Sequence, residues 1–355
     1  MPKTNTSEQI KSEIIGKLGR ITLNRPKALN ALTQDMCEAI TKIMLEWEDN
    51  PDIGAVLIDG AGERAFCAGG DVIMLHDSGK AGDKRAEKFW RTEYPLNELI
   101  ERYRKPYIAL IDGIVMGGGV GLSVHGDYRI AGDNTLFAMP ETGIGYFTDV
   151  GGTYFLPRLG MSVALWMGLT GARIKTAQAC ELRLATHYIP SDKHSDLIEA
   201  LSKAKLDGTS VAVERILKKH ARKAPKAEPL SPSIGAFFAE SPADVLKNLD
   251  HDESEWAQAQ AAIMRKKSPL AMAVTFEALK RGGQMGFREA MEMELNLSMN
   301  FLKTQDFYEG IRAQLIDKDR NPQWSHESPA KVTKAQFQRL FKKTAKPALQ
   351  FLGDG

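Results

Sequence analysis

Three glycine-rich segments carry the clearest chemical potential in this 355-residue sequence: Ala65-Phe66-Cys67-Ala68-Gly69-Gly70-Asp71, Asp112-Gly113-Ile114-Val115-Met116-Gly117-Gly118-Gly119 and Pro140-Glu141-Thr142-Gly143-Ile144-Gly145. Glycine lets a backbone approach a ligand closely and adopt dihedrals that other residues avoid. Two such turns facing one another aim two N–H groups at a single carbonyl oxygen. A helix that begins at the second turn adds the positive end of its dipole. That arrangement is an oxyanion hole, in which losing one donor costs about 3–4 kcal/mol of transition-state stabilisation. The plain alternative is a set of ordinary turns.

Competing motifs are weak or missing. The run Gly117-Gly118-Gly119-Val120-Gly121 fails the dinucleotide pattern because Leu122 stands where its third glycine belongs. No phosphate-loop motif occurs, and the seven histidines include no pair at metal-ligand helical spacing, so neither a metal nor a separate cofactor is expected. Gly121-Leu122-Ser123-Val124-His125 nearly matches a nucleophile elbow, but His125 occupies the second glycine's place. Ser123 therefore reads as a small packing residue early in a helix.

The elements that must position the glycine turns follow from periodicity. Ile14-Ile15 and Arg20 to Asn24 bracket Gly16 to Gly19 as a hairpin. Thr33 predicts an N-cap for a helix whose apolar face is Met36, Ile40, Ile43, Met44 and Trp47. Ala55 to Ile58, Ile108 to Ile111, Ile130-Ala131 and Leu136 to Met139 read as strands, and Met161 to Thr170 as a helix closed by Gly171. This recurrence suggests a spiral of ββα turns, with a doubly wound sheet as the rival. Beyond about residue 200 the strand signals fade. Ala221 to Gly235 reads as a surface connection, and Ser268-Pro269 opens the first of several helices that follow. The expected division is an α/β core over 1–200 and a mainly helical region over 201–355.

Composition narrows the class. With 43% hydrophobic and 26% charged residues the chain is an ordinary globular protein, and its net charge of +2 argues against a dedicated nucleic-acid surface. The basic runs Arg215 to Lys226 and Arg339 to Lys346 read as solvated helix faces or as anion contacts. Cys37, Cys67 and Cys180 form no Cys-x-x-Cys pair and read as free thiols in a reducing cytoplasm. Met1 to Ser12 is polar and reads as a short frayed start rather than a targeting segment. Tyr107 to Val124 approaches the length of a membrane span, but Asp112 and five glycines make it a buried strand entering a glycine turn.

The first two glycine segments resemble the oxyanion-hole loops of the crotonase superfamily, and Asn24-Arg25-Pro26 with Ala28-Leu29-Asn30-Ala31-Leu32 resembles its N-terminal signature. The matches run in the family's order from about Ile21 to Leu159. The resemblance implies a crotonase-like spiral of ββα units, a CoA thioester substrate, and Gly70 and Gly118 as the two backbone donors. Enoyl-CoA hydratases of this superfamily add water with two glutamates. The second aligns with Glu141, whereas the first falls on Gly121, which has no side chain. The Asp149-Val150-Gly151-Gly152 segment, Glu93, and the tail from Gly310 to Trp324 resemble instead the branch of 3-hydroxyisobutyryl-CoA hydrolases, apart from Thr148, where that branch often carries proline.

That branch implies hydrolysis of an acyl-CoA thioester in valine breakdown. Glu141 is expected to act as nucleophile or as general base, with Asp149 and Glu93 on the substrate's 3-hydroxyl. Acids sharing one pocket should push their pKa values apart. Each carboxylate has a plainer reading: a helix start for Glu141, a cap for Asp149, a surface charge for Glu93. Lys27 is a candidate contact for a CoA phosphate or a merely solvated lysine. Trimers, or dimers of trimers, are common in the superfamily, so a homo-oligomer is one expectation. The rivals are an enoyl-CoA isomerase or hydratase, and a non-catalytic RNA- or ribosome-binding protein of the same fold.

Overall fold

The computed structural model describes residues 5, 6 and 8–353 of the chain. Its strands are β1 (Asn5–Thr6), β2 (Ile10–Ile15), β3 (Leu18–Leu23), β4 (Ala55–Gly60), β5 (Ala65–Cys67), β6 (Tyr107–Leu110), β7 (Ile114–Met116), β8 (Tyr128–Ala131), β9 (Leu136–Ala138), β10 (Ile174–Lys175) and β11 (His187–Tyr188). They form a seven-stranded sheet in the order β1-β2-β3-β4-β6-β8-β11 and a four-stranded sheet in the order β10-β9-β7-β5. The expected hairpin is β2 and β3, paired antiparallel from Ile15↔Leu18 outward around Gly16, whose φ is +62°.

From β4 onward, three successive strand pairs repeat one step. The first strand of each pair (β4, β6, β8) joins the large sheet and the second (β5, β7, β9) the small one, and all neighbours run parallel. Parallel strands need crossovers, and here helices and turns supply them. The result is the spiral of ββα units, and the alternation between two sheets rules out a doubly wound one.

The large sheet is buried on both faces, as parallel sheets are. Val56, Ile58, Tyr107 and Ala109 point into the main core, while Ala55, Leu57, Ile108 and Leu110 point to the other side. There Leu197, Leu201, Val213 and Leu217 cover them from the helices His194–Lys203 and Ser210–His220. On the main-core side the helix Gln34–Glu48 buries Met36, Ile40, Ile43, Met44 and Trp47, and the Thr33 hydroxyl accepts the Met36 N–H at 3.3 Å.

No strand follows Tyr188 among the described residues. The helices Pro269–Gly282, Phe287–Phe301 and Gln305–Ile311 extend the core that starts at Ile10, with Leu270, Phe301 and Phe307 buried in it. The Ser268 hydroxyl accepts the Ala271 N–H at 3.0 Å, the cap expected from Ser268-Pro269. The frayed start expected through Ser12 is too long. β1 and the first half of β2 lie inside it because Ile10 is core, while residues 1–4 and 7 lie outside the described residues.

Candidate active site

The N-terminal signature braces the first glycine loop. Asn30, at φ +57°, accepts the Arg25 N–H at 2.9 Å and donates to the Ala61 and Ala65 carbonyls at 3.0 Å each. Asparagine tolerates that left-handed backbone better than most residues. The strand-like stretch after it pairs with the loop: Leu32 donates its N–H to the Gly69 carbonyl at 2.8 Å and accepts the Asp71 N–H at 2.9 Å. In such a parallel bridge the flanking groups bond the partner strand, so the N–H of Gly70 itself points the other way.

It points toward the second turn. A Cβ on Gly118 would sit 3.3 Å from the Gly70 nitrogen. Gly118 opens the short helix Gly118–Gly121, so its N–H has no intrahelical acceptor. Gly119 lets this turn press on β5, because a Cβ there would lie 2.2 Å from the Cys67 carbonyl oxygen. The two N–H groups thus face one space.

Carboxylates stand on both sides of that space. Glu93 Oε1 lies 2.6 Å from where a Gly118 Cβ would be, and Glu141 Oε1 lies 3.6 Å from where a Gly117 Cβ would be. Gly70, Gly118, Glu93, Glu141 and Asp149 all line one cavity of about 520 Å³. Glu93 belongs to the helix Arg85–Glu101 and is 2% exposed, so its reading as a surface charge is wrong: it falls on the inward stripe with Ala86, Phe89 and Trp90. Glu141 opens a 3₁₀ turn, Glu141–Ile144, and Asp149 follows on the loop after it, at 5% and 7% exposure. Among the described residues, Glu93 Oε1 and Glu141 Oε2 are buried without a hydrogen-bond partner.

Burial raises the pKa of all three acids well above the usual carboxylate range. Asp149's charge raises those of Glu93 and Glu141 further, and the nearby Lys267 ammonium pulls Glu141 back down. Asp149 is opposed by hydrogen bonding: the Tyr94 hydroxyl donates to its Oδ2 at 2.8 Å. Tyr94 and Tyr146 both reach the Ser298 hydroxyl, at 2.7 and 2.6 Å. The site is therefore an acidic pocket beside two backbone amides, suited to stabilising negative charge on a carbonyl oxygen while an acid or base acts on its carbon.

The chain matches the family model for Enoyl-CoA hydratase/isomerase over residues 18–341. It belongs to that family. Among relatives, the Danio rerio protein named 3-hydroxyisobutyryl-CoA hydrolase, mitochondrial, is 42% identical over 96% of this chain and 91% of its own length. Proteins of the same name from Xenopus tropicalis and Homo sapiens are 46% and 39% identical over 90% and 98% of this chain, and 84% and 92% of theirs. A structure titled as a carnitinyl-CoA dehydratase from Mycobacterium thermoresistibile superposes with a TM-score of 0.91 at 38% identity, covering 98% of this chain and 100% of its own. One titled as an enoyl-CoA hydratase from Rhodobacter sphaeroides gives 0.86 at 37%, over 97% and 100%. The fold is crotonase-like.

These relatives correct one expectation. Their names assign them to mitochondria, which overturns the cytoplasmic location read from the cysteines and the N-terminus. Free thiols, which Cys37, Cys67 and Cys180 are, mark a reducing compartment without saying which.

Ser123 faces away from the cavity and donates to the Gly119 carbonyl at 2.9 Å, as a packing residue does. Lys27 is exposed on the turn Pro26–Ala28; Arg25 and Ala28, on either side of it, line the cavity. Neither basic run lines the cavity. Tyr94, Tyr146, Lys267, Glu294 and Ser298 were not anticipated. Glu294 and Ser298 had a signal, since both fall on the inward stripe of Phe287–Phe301 with Met291, Leu295 and Phe301. No helix among the described residues is long and apolar enough to cross a membrane, and none of their His, Cys, Asp and Glu residues are grouped to hold a metal ion.

Proposed function

We propose that this protein hydrolyses 3-hydroxyisobutyryl-CoA to 3-hydroxyisobutyrate and CoA. The observation that carries the reading is the convergence of Glu141, Asp149 and Glu93 on the space faced by Gly70 and Gly118, in a chain 39–46% identical to hydrolases of that name. The thioester carbonyl enters between the Gly70 and Gly118 N–H groups, which stabilise its oxygen as it becomes an oxyanion. Glu141 acts on the carbonyl carbon by one of two routes. As a nucleophile it forms a C–O bond, the C–S bond breaks, CoA leaves as the thiolate, and water then hydrolyses the mixed anhydride. As a general base it takes a proton from the attacking water directly.

Asp149 and Glu93 receive the 3-hydroxyl of the substrate. A pocket that buries polar groups for a hydroxyl leaves them unpaired when the hydroxyl is missing, and so discriminates strongly. Lys27, beside the cavity mouth, meets a phosphate of CoA. The test is thiol release from 3-hydroxyisobutyryl-CoA beside isobutyryl-CoA: kcat/KM should be at least about 100-fold higher for the first, and comparable rates would remove the hydroxyl contact.

A second reading, enoyl-CoA hydration, is favoured by the titles of the two superposable structures. Against it, Gly121 supplies no carboxylate beside Glu141. Loss of crotonyl-CoA unsaturation without thiol release would establish that reading instead.

A further inference from the structure

Asp149 is followed by two consecutive residues with left-handed backbones, Val150 at φ +53° and Gly151 at φ +79°. For valine this is costly, because a β-branched side chain crowds that region, and such geometry persists only where the surroundings over-determine it. Two groups outside the cavity lining do so, one half-buried and one fully buried. His125 donates from Nε2 to the Val150 carbonyl at 2.8 Å. Only an N–H can bond a carbonyl oxygen, so that nitrogen carries the hydrogen, and burial lowers the ring's pKa to about 4 and keeps it neutral. The ring packs edge-on against Phe287, centroids 4.7 Å apart. Gly151 must be glycine here, since a Cβ would meet His125 Cε1 at 2.5 Å.

Glu294 holds the other side. Its carboxylate accepts the Gly151 N–H at 2.8 Å, the Thr153 N–H at 3.2 Å and the Thr153 hydroxyl. It is 0% exposed, and burial, with Asp149's charge behind it, raises its pKa to about 8. Three donors from a single turn oppose that rise by favouring the charged form, and they fix the carboxyl against the turn. Ser298, one helical turn further along, contacts Tyr94 at 2.7 Å, and Tyr94 donates to Asp149 at 2.8 Å. One helix face therefore reaches Asp149 by two routes.

We propose that Glu294 and His125 are positioning residues: from opposite sides they clamp the Val150–Gly151 turn in its left-handed form and so set the Asp149 carboxylate in the cavity. The inference rests on the hydrolase reading for its kinetic consequence. The experiment compares Glu294→Ala, Glu294→Gln, Val150→Gly and the Glu294→Ala/Val150→Gly pair in the full chain, by thiol release from 3-hydroxyisobutyryl-CoA. Glu294→Ala should lower kcat about 100-fold, as a displaced catalytic group does, with KM changed less than about threefold. Glu294→Gln, which keeps one acceptor oxygen, should fall between. In the Val150→Gly background, where the turn is unstrained, the loss from Glu294→Ala should shrink to about tenfold or less.

A kcat within about threefold of wild type for Glu294→Ala, or the same loss in both backgrounds, overturns the clamp. If Glu294→Ala does not fold, Glu294→Gln carries the same comparison. Should the wild type release no thiol, the hydrolase reading fails separately. The clamp is then judged by hydrogen–deuterium exchange over residues 147–155, where lost protection in Glu294→Gln supports it and unchanged protection overturns it.

Discussion

Replacing Gly118 by alanine tests the backbone donors directly, and Gly119 supplies the control. The two are neighbours in one short helix, neither has a left-handed φ, and alanine is the better helix former at both. They differ in what a methyl group meets. At Gly118 the closest atoms are Glu93 Oε1 at 2.6 Å and Leu32 Cδ1 at 3.0 Å, both ends of side chains that can give way, with the Gly70 nitrogen at 3.3 Å. The methyl would stand in the space an oxyanion shares with both N–H groups, so the cost falls on catalysis. Removing one oxyanion-hole donor is worth about 2.7–4 kcal/mol, or 10²–10³ in kcat. At Gly119 the methyl meets the Cys67 carbonyl oxygen at 2.2 Å, which is strand backbone and cannot move alone. Overpacking of that kind costs about 1–3 kcal/mol of stability. Gly118→Ala should therefore release thiol at least about 100-fold more slowly while its Tm stays near wild type. Gly119→Ala should melt several degrees lower. A Gly118→Ala enzyme with more than about a third of wild-type kcat would refute the assignment of that N–H.

Glu141→Gln should lower kcat at least about 100-fold and yet stabilise the fold at neutral pH. Glu141's pKa is raised on folding, so the folded state binds its proton more tightly than the unfolded chain does. The stability this contributes is fully present below the ordinary value of 4.5 and is lost as pH rises through the folded value. The Tm advantage of Glu141→Gln should thus grow from pH 5 to pH 8, and a wild type that melts higher at pH 8 would reverse the sign. Lys267, half-buried with its pKa lowered by desolvation, lies near Glu141, its Nζ 3.2 Å from where a Gly143 Cβ would be. Lys267→Met should move the acid limb of the kcat/KM profile to higher pH and Lys267→Arg should restore it; an unmoved limb would remove Lys267 from the site.

The sequence made the spiral and the glycine turns readable because both rest on local rules. Buried parallel strands read as short apolar runs, and left-handed or closely packed turns demand glycine. The hairpin at Gly16, the cap at Thr33 and the helix closed by Gly171 all rest on the same kind of rule. Asp149's surroundings were not local. Tyr94, Tyr146 and Ser298 converge on it from positions up to 204 residues apart, and no period or spacing encodes that. What the sequence did hold was a set of polar residues out of place. Glu93, Asn97, Glu294 and Ser298 sit on helix stripes that are otherwise apolar, and a polar group at a core position needs a partner or a task. The helix from Gln305 is α-helical to Ile311 and widens into a π turn over Arg312–Ile316, a change of winding that periodicity does not register.

Gly121 decides how far the likeness to hydratases extends. By the alignment with that branch, a glutamate belongs there to complete a water-adding pair with Glu141. In this structure a Cβ at Gly121 would lie 2.8 Å from Asn97 Nδ2, 3.1 Å from Asn97 Oδ1 and 2.9 Å from the Val150 Cβ. The obstruction comes from two directions, and one of them is the turn that carries Asp149. A side chain at 121 and the present course of Val150 exclude each other, so a carboxylate at 121 would be gained only by displacing Asp149. Gly121→Glu should therefore fail to confer crotonyl-CoA hydration and should also lose thiol release, with a fall in Tm reflecting about 1–3 kcal/mol of overpacking. Opening room with Gly121→Glu/Asn97→Ala should not recover hydrolysis, because Val150 still stands in the way. Hydration by either variant with hydrolysis intact would mean that the two sites can coexist and that the turn after Asp149 is free to move.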